Sequence, residues 1–265
     1  MQLPDICRRM RRNILDMAFN SKTAHIGPSL CIVEILAVLY FRIMNIDPQD
    51  PEAPDRDRFL LSKGHAAAAL YTTLALRGYF PEEELTKYCV DGGRFHGHPC
   101  RDAAPGIEFS SGSLGHGLSV AAGMALSLKG ISKGVIFTLL GDGECNEGSV
   151  WEAATFAAKN RLNNLVAIID VNRFQGFAAT EDIDSLDLKK KWEAFGWTAF
   201  EVDGHDFVAL EQVLNMAKQL DCPVVILANT ISGKGIKAIE NTLLAHYFVL
   251  DETVYQQTLR EIYAE

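Results

Sequence analysis

Two short oxygen-bearing side chains, Asp142 and Asn172, each follow an apolar run of the sequence. Asp142 begins the segment after residues 135–140, and Asn172 lies just beyond residues 165–170. Because the carboxyl ends of parallel strands meet at one ligand-binding edge of a sheet, these side chains are expected to lie close together. A carboxylate, an amide carbonyl and a nearby main-chain carbonyl form a partial oxygen cage, which suits Mg²⁺ or Ca²⁺ when phosphates supply the remaining ligands. The pattern therefore predicts a metal-bridged diphosphate site.

The tripeptide around Asp142, Gly141-Asp142-Gly143, has a simpler interpretation as an ordinary turn. A bare Gly-Asp-Gly is common, and by itself it is more typical of a turn than of a ligand site. Its position between a predicted strand and a predicted helix, with Asn172 at the end of the next predicted strand, favours the diphosphate.

Four histidines form a second group of candidate functional residues. Most of them stand beside Gly or Pro in loops or at helix starts: His25, His65, His98 and His246. A single histidine of this kind is more often structural than catalytic. Several near a metal–phosphate edge suit hydroxyl and phosphate recognition, because imidazole donates and accepts hydrogen bonds near neutral pH. They also suit proton transfer to a carbonyl oxygen during C–C bond cleavage.

The elements that must position these residues are clearest in the second half of the chain, where apolar runs alternate with helical patterns. The predicted strands are residues 135–140, 165–170, 197–202 and 223–229, with helices at 149–161, 186–195 and 206–219. This alternation predicts an α/β fold, with a doubly wound, mainly parallel sheet covered by helices on both faces. Right-handed crossovers would bring the loops after residues 140, 170 and 229 to one edge.

Helical patterns dominate the first half. We expect helices at residues 6–19, 29–44, 66–77, 81–90 and 114–129, a short strand at 59–61, a long loop at 91–113, and a final helix at 251–262. Loops of that length inside a compact domain are usually functional or disordered. No linker composition interrupts the 265 residues, so residues 1–265 are predicted to form a single domain.

The bulk composition excludes several classes of function. A net charge of −9 and a pI of about 5.3 disfavour nucleic acid or an anionic membrane as the main partner. None of the six cysteines forms a C-x-x-C pair, so neither a zinc site nor a redox dithiol is indicated. No apolar run is expected to reach membrane-spanning length, and the first residues lack the apolar core of a signal peptide. A cytoplasmic protein is therefore expected.

Taken together, these motifs are similar to those of the transketolase family. The chain resembles the N-terminal, thiamine-diphosphate-binding part of transketolase over nearly its whole length. The segment from Gly141 to Asn172 resembles the thiamine diphosphate motif. The other matching blocks occur in family order: Leu61–His65, Gly97–Pro99, Pro105–Glu108, Ser113–Gly115 and Val202–Asp206.

The resemblance implies a metal site and a cofactor. Asp142, Asn172 and the main-chain carbonyl of Phe174 would be the metal ligands, with Mg²⁺ as the ion and Ca²⁺ or Mn²⁺ as substitutes. The cofactor would be thiamine diphosphate, which would receive a two-carbon ketol unit from a ketose for transfer to an aldose.

The resemblance also implies which residues contact the cofactor. Gly143 would contact the diphosphate through its backbone, and His65 and His246 would approach the phosphates. Main-chain groups of Gly112 and Leu114 would border the aminopyrimidine. The full implied set is His65, Gly112, Ser113, Leu114, Gly141, Asp142, Gly143, Glu144, Asn172, Phe174 and His246.

The implied catalytic residues are His25, His65, His98 and Glu147. His25 and His98 would face the reacting carbons of the ketose. Glu147 matches an acidic position that family members place at the subunit interface, where it links paired active sites. A carboxylate at a helix N-terminus, favoured by the helix dipole, is a second interpretation of Glu147, and the two are compatible.

Chain length adds a prediction about assembly. Single-chain transketolases continue into a pyrimidine-binding domain and a C-terminal domain, and the glutamate that activates the aminopyrimidine belongs to that part. The resemblance therefore implies a split transketolase that works with a separate C-terminal subunit, most simply as an α₂β₂ heterotetramer acting on sugar phosphates. A fragment of a longer chain is the main alternative.

Two segments depart from the family pattern. After Asn172 many transketolases continue towards Gln-Ile-Asp-Gly, whereas this chain reads Gln175-Gly176-Phe177, so Phe177 is a candidate for the apolar residue that packs on the thiazolium side. His246 is followed by Tyr247, where split transketolases often have glycine. Both changes surround the expected substrate entrance and indicate a sugar other than a common pentose-phosphate intermediate.

Other functions compatible with parts of the pattern are a thiamine-dependent synthase of the 1-deoxyxylulose-phosphate synthase type and a non-catalytic regulatory or scaffold subunit. The ordered histidine blocks favour transketolase over the synthase. The intact Asp142, Asn172, His65 and His98 argue against a non-catalytic subunit. A nicotinamide-binding domain is disfavoured because no G-x-G-x-x-G follows a first strand.

Overall fold

A parallel five-stranded sheet forms the centre of the molecule in a computed structural model that describes residues 2–184 and 186–264. The strand order is β1-β2-β3-β5-β4, and every neighbouring pair is parallel. The strands are β1 Arg58–Leu61, β2 Ile136–Gly141, β3 Leu165–Val171, β4 Thr198–Asp203 and β5 Val224–Asn229. The predicted parallel α/β sheet is confirmed, with strand boundaries within one residue of those expected.

Helices cover both faces of this sheet. They are α1 Leu3–Ser21, α2 Ile26–Leu30, α3 Val33–Val38, α4 Ala67–Arg77, α5 Gly117–Leu128, α6 Gly148–Lys159, α7 Thr180–Ile183, α8 Leu188–Ala194, α9 Phe207–Ala217 and α10 Glu252–Ala264. Buried residues of α1 to α4 and of α9 form one hydrophobic cluster, and those of α5, α6 and α8 form a second.

Strand side chains enter the two clusters alternately. In β2, Phe137 and Leu139 belong to the first cluster, whereas Ile136 and Leu140 belong to the second. This period of two explains why the strands are apolar on both faces. One sheet contributes side chains to both clusters, and a single domain over residues 1–265 stays a prediction.

The register brings the ends of three strands to the same edge. Gly141 pairs with Asp170, and Val171 pairs with Asn229. Backbone bonds continue past the strands: Asp142 N–H donates to Asp170 O at 3.1 Å. The predicted meeting of the loops after residues 140, 170 and 229 is confirmed.

Two predicted helices differ in the structure. The helix expected at 29–44 is divided into α2, α3 and a π-helical turn at Leu39–Ile43, and it starts earlier, so that Pro28 falls in the first turn, where its missing N–H costs nothing. The segment expected as a helix at 81–90 forms a 3₁₀ turn at Glu82–Lys87 and stops there, because Tyr88 turns extended and bridges to Phe95.

The segment Ile26–Ile43 has the length and hydropathy of a membrane span, with a mean hydropathy of 1.8, which corrects the expectation that no run would reach this length. However, 89% of the segment is buried within the fold, where α3 contacts α1, α4 and α9. Burial by these helices accounts for its apolar character.

Candidate active site

A cavity of about 530 Å³ opens at the carboxyl edge of β2 and β3. All but one of the site residues predicted above line it: His25, His65, His98, Gly112, Leu114, Gly141, Asp142, Gly143, Glu144, Glu147, Asn172, Phe174 and His246. The exception is Ser113, which is exposed and lies outside the lining. The topology thus brings residues from both halves of the chain into one cavity.

Asp142 is a buried carboxylate at the floor of this cavity, 5% exposed. Its donors in the described part of the chain are all uncharged: the Gly143 N–H at 2.9 Å, the Arg173 N–H at 2.8 Å and the Thr180 hydroxyl at 3.0 Å. Burial, together with the neighbouring Asp170, raises the Asp142 pKa to about 6. The raised pKa indicates that, among the described residues, no nearby cation fully offsets the cost of burying the negative charge of Asp142.

Asn172 is oriented by a buried ion pair. Its side-chain N–H donates to Asp170 Oδ2 at 2.7 Å, and its Oδ1 accepts from the Phe174 N–H at 3.0 Å. Asp170 Oδ2 also accepts from Lys63 Nζ at 2.5 Å, and both of these charged side chains are 1% exposed or less. Burial lowers the Lys63 pKa, but the attraction of the Asp170 carboxylate raises it by more, so the Lys63 pKa lies above its ordinary value.

The donors fit a magnesium diphosphate. Lys63 pairs with Asp170, whereas Asp142 accepts hydrogen bonds from uncharged groups and could be neutralised by a bound cation. Among the described residues no three His, Cys, Asp or Glu side chains come together as a metal site, so a cation here depends on mixed oxygen donors, as Mg²⁺ does when phosphates complete its shell.

Gly143 packs closely against the side chain of Gln175. A Cβ at this position would lie 2.8 Å from Gln175 Cβ and 2.9 Å from Gln175 Oε1, so a side chain would not fit without displacing Gln175. The absence of a side chain at residue 143 therefore allows Gln175 to approach the backbone at this edge of the cavity.

Glu144 joins three segments around the cavity. Its carboxylate is 2% exposed and accepts from the Ser62 hydroxyl at 2.5 Å, from the Gly115 N–H at 2.8 Å and from the Gly141 N–H at 3.2 Å. Burial raises the Glu144 pKa, although these donors oppose the rise. With its oxygens engaged by protein donors, Glu144 positions the surrounding loops.

Three of the histidines form a cluster on one side of the cavity. The ring centroids of His25, His65 and His246 are 5.1 to 5.4 Å apart. Burial is the largest cause that lowers the pKa of each, and neighbouring histidines and Lys63 lower it further. The cluster is therefore uncharged at neutral pH and can both donate and accept hydrogen bonds.

His25 and His98 differ in how they are held. His25 adopts a left-handed backbone, with φ of 65°, at the start of α2, and its N–H donates to His246 O at 3.2 Å. Its Nδ1 is buried without a hydrogen-bond partner, as expected for a group that awaits a ligand. His98 is exposed, and its ring packs about 3.7 Å from the Cβ position of Gly112.

The low pKa of His246, about 4 against an ordinary 6.5, predicts acid destabilisation. As the pH falls below 6.5, His246 becomes protonated in the unfolded chain but stays neutral in the folded chain. The free energy of unfolding therefore decreases until the pH nears 4. Because the side chain is only partly buried, we expect a contribution on the order of 1 kcal/mol between pH 7 and pH 5. Urea unfolding at both pH values should show a smaller decrease for His246→Gln than for the unmodified chain. An equal decrease would contradict this account.

Several lining residues were missed by the sequence reasoning. Lys63 stands in the motif with His65, which was a usable signal, but a lysine is normally assumed to be exposed. Gln175 lies against Gly143, and its Nε2 is buried without a partner.

Phe177, which the sequence suggested as the apolar residue beside the thiazolium, does line the cavity, but its side chain is 75% exposed at the opening.

Glu147 lies at the edge of the cavity and is the N-cap residue of α6. Its side chain is exposed and makes no capping hydrogen bond. Its place at the start of α6 agrees with the interpretation of Glu147 as a helix-terminal carboxylate. Its exposed side chain can also contact a second chain.

Comparison with known proteins identifies close relatives of similar length. The chain is 43% identical over 244 residues to the 6-deoxy-6-sulfo-D-fructose transketolase subunit SqwG of Clostridium sp. (strain MSTE9), covering 91% of this chain and 89% of the relative. It is 41% identical over 264 residues to an apulose-4-phosphate transketolase subunit of Actinobacillus succinogenes, covering 98% of this chain and 96% of the relative.

Solved structures give the same result for the fold. The transketolase of Campylobacter jejuni superposes with a TM-score of 0.93 at 28% identity. The match covers 99% of this chain but 43% of the Campylobacter chain, so this chain spans less than half of that enzyme. The family model for "Transketolase, thiamine diphosphate binding domain" matches residues 5–263. The chain therefore belongs to the transketolase family and represents its thiamine diphosphate binding domain.

Proposed function

We propose that this chain is the thiamine-diphosphate-binding subunit of a two-chain, Mg²⁺-dependent transketolase. The observation that carries the proposal is the cavity itself, whose lining includes Asp142 and Asn172 together with a cluster of uncharged histidines. The match to proteins named as transketolase subunits over most of their length supports the two-chain assembly.

The cation would be held by Asp142, Asn172 and the Phe174 main-chain carbonyl, with Mg²⁺ as the ion and Ca²⁺ or Mn²⁺ as substitutes. Asp170 orients Asn172 through the 2.7 Å hydrogen bond, and Lys63 pairs with Asp170. Such support of a ligand by a neighbouring carboxylate commonly strengthens metal affinity.

The diphosphate would lie against the backbone of Gly143, with His65 and His246 as hydrogen-bond donors. Main-chain groups of Gly112 and Leu114 would border the aminopyrimidine. When bound, thiamine diphosphate supplies the carbon centre that accepts and releases the two-carbon ketol unit.

His25 and His98 would act on the ketose. An uncharged imidazole can donate to a sugar hydroxyl or take a proton from it, and the low pKa of His25 keeps its ring in that form at neutral pH. The unpartnered Nδ1 of His25 is the atom we assign to this contact.

The second subunit would supply the pyrimidine-binding and C-terminal domains. We propose an α₂β₂ assembly in the cytoplasm, with the exposed Glu147 at the interface between subunits. The substrates would be a ketose and an aldose that bear an anionic group, because the named relatives act on a sulfonated and on a phosphorylated sugar. The relatives favour this function over the synthase and over a non-catalytic subunit.

The test is an assay of the chain mixed with its complementary subunit, thiamine diphosphate and Mg²⁺. Transfer of a two-carbon unit from a ketose to an aldose is expected, and pyruvate should not replace the ketose. Turnover of pyruvate with the same acceptor would favour the synthase, and cofactor binding without turnover of any donor would favour the non-catalytic subunit.

A further inference from the structure

Two positions at which the sequence departs from the transketolase pattern contact each other across the mouth of the cavity. Residues 176 and 247 are 71 positions apart, yet a Cβ on Gly176 would lie 2.7 Å from Tyr247 Oη and 3.7 Å from Tyr247 Cζ. The φ of Gly176 lies outside the left-handed region, so its backbone does not demand glycine. A side chain on residue 176 would instead meet the phenol of Tyr247, which would have to move.

The ring of Tyr247 packs on the histidine cluster. Its centroid is 4.7 Å from that of His246 and 5.7 Å from that of His25. Tyr247 is 58% exposed, so one side of the ring contacts these histidines while the remainder faces the opening of the cavity. The next residue of the opposite loop, Phe177, is 75% exposed and lines the same opening.

From this arrangement we propose that Tyr247 is a specificity-determining residue for the ketose. Its ring narrows the opening of the cavity beside His25. Its hydroxyl lies next to Gly176 and offers a hydrogen-bond donor and acceptor to a sugar hydroxyl. This inference rests on the proposed transketolase function, because it assigns part of that site.

The ring and the hydroxyl of Tyr247 should affect ketose binding in different ways. Loss of the hydroxyl removes a polar contact while the ring still narrows the mouth, and loss of the ring also widens the mouth. A methyl group on residue 176 collides with the hydroxyl, so Gly176→Ala should act through displacement of Tyr247.

The experiment compares kcat/KM for a series of ketoses of different chain length, measured with the reconstituted two-chain enzyme. Tyr247→Gly is expected to change the ratio between the longest and the shortest ketose about tenfold. Tyr247→Phe should change kcat/KM for the preferred ketose about threefold, mainly through KM. Gly176→Ala should alter the ratio in the unmodified chain and have no further effect in Tyr247→Gly, because residues in contact are not additive.

Affinity for thiamine diphosphate, measured by calorimetry, provides the second readout and should stay that of the unmodified chain. Equal loss of kcat/KM for every ketose, or additive effects of the two substitutions, would overturn the role of Tyr247. Failure of the unmodified two-chain enzyme to transfer from any ketose would contradict the proposed function instead.

Discussion

Replacement of Asp142 by alanine is expected to lower the affinity for thiamine diphosphate in the presence of Mg²⁺ by on the order of 100-fold or more. Asp142 is the carboxylate of the cation site, and within the described residues its hydrogen bonds come from uncharged donors. Without it, a cation would keep only the amide and carbonyl oxygens, which carry no charge. The diphosphate would then lose its bridge to the protein.

Calorimetric titration with and without EDTA checks this expectation. EDTA should reduce the affinity of the unmodified chain to that of Asp142→Ala and should leave the variant unchanged. Thr180→Val is the matched control, because it removes one 3.0 Å hydrogen bond to Asp142 but keeps the carboxylate, and it should cost about tenfold or less. Retained affinity in a folded Asp142→Ala chain would exclude Asp142 from the cation site.

Replacement of Asp170 by asparagine is expected to destabilise the fold by about 3–5 kcal/mol. Asp170 is 0% exposed and is the carboxylate partner of Lys63, which is 1% exposed. The asparagine would leave the lysine charge buried without compensation. Thr230 and Asn172 also donate to Asp170, so the change would disturb the strand ends around the cavity as well.

A double-mutant cycle separates the ion pair from general packing. Lys63→Met should also be strongly destabilising, because it leaves the Asp170 charge unpaired. The double variant Lys63→Met/Asp170→Asn should be less destabilised than the sum of the two single variants by about 2 kcal/mol or more, since neither charge of the pair is then left buried without its partner. Additive effects in urea unfolding would show that the pair is not coupled.

The sequence predicts those parts of the molecule that depend on local pattern. Alternating apolar runs set the strands, and the side chains just beyond β2 and β3 indicate the ligand edge, because a parallel sheet aligns its carboxyl ends. Asp142 and Asn172 could therefore be paired from spacing alone. The division of residues 26–43 into three helical pieces could not, because their uniformly apolar composition carries no signal for a break.

Contacts between distant residues account for what the sequence reasoning missed. Lys63 and Asp170 are 107 positions apart, and neither residue type suggests deep burial unless its partner is known. The closeness of Gly176 and Tyr247 is also a contact between distant residues. In the sequence, each is a separate departure from the family pattern, and only the fold brings them together. Local sequence pattern does not reveal such pairs, because each forms only in the folded chain.

We propose that this cavity is one part of an active site that a second chain completes. The most direct measurement titrates a fixed amount of this chain with the complementary subunit and records ketol transfer at saturating thiamine diphosphate and Mg²⁺. We expect no transfer by either chain alone and a rate that rises with added partner until the two chains are equimolar. Full transfer by this chain alone would contradict a site that is shared between two chains.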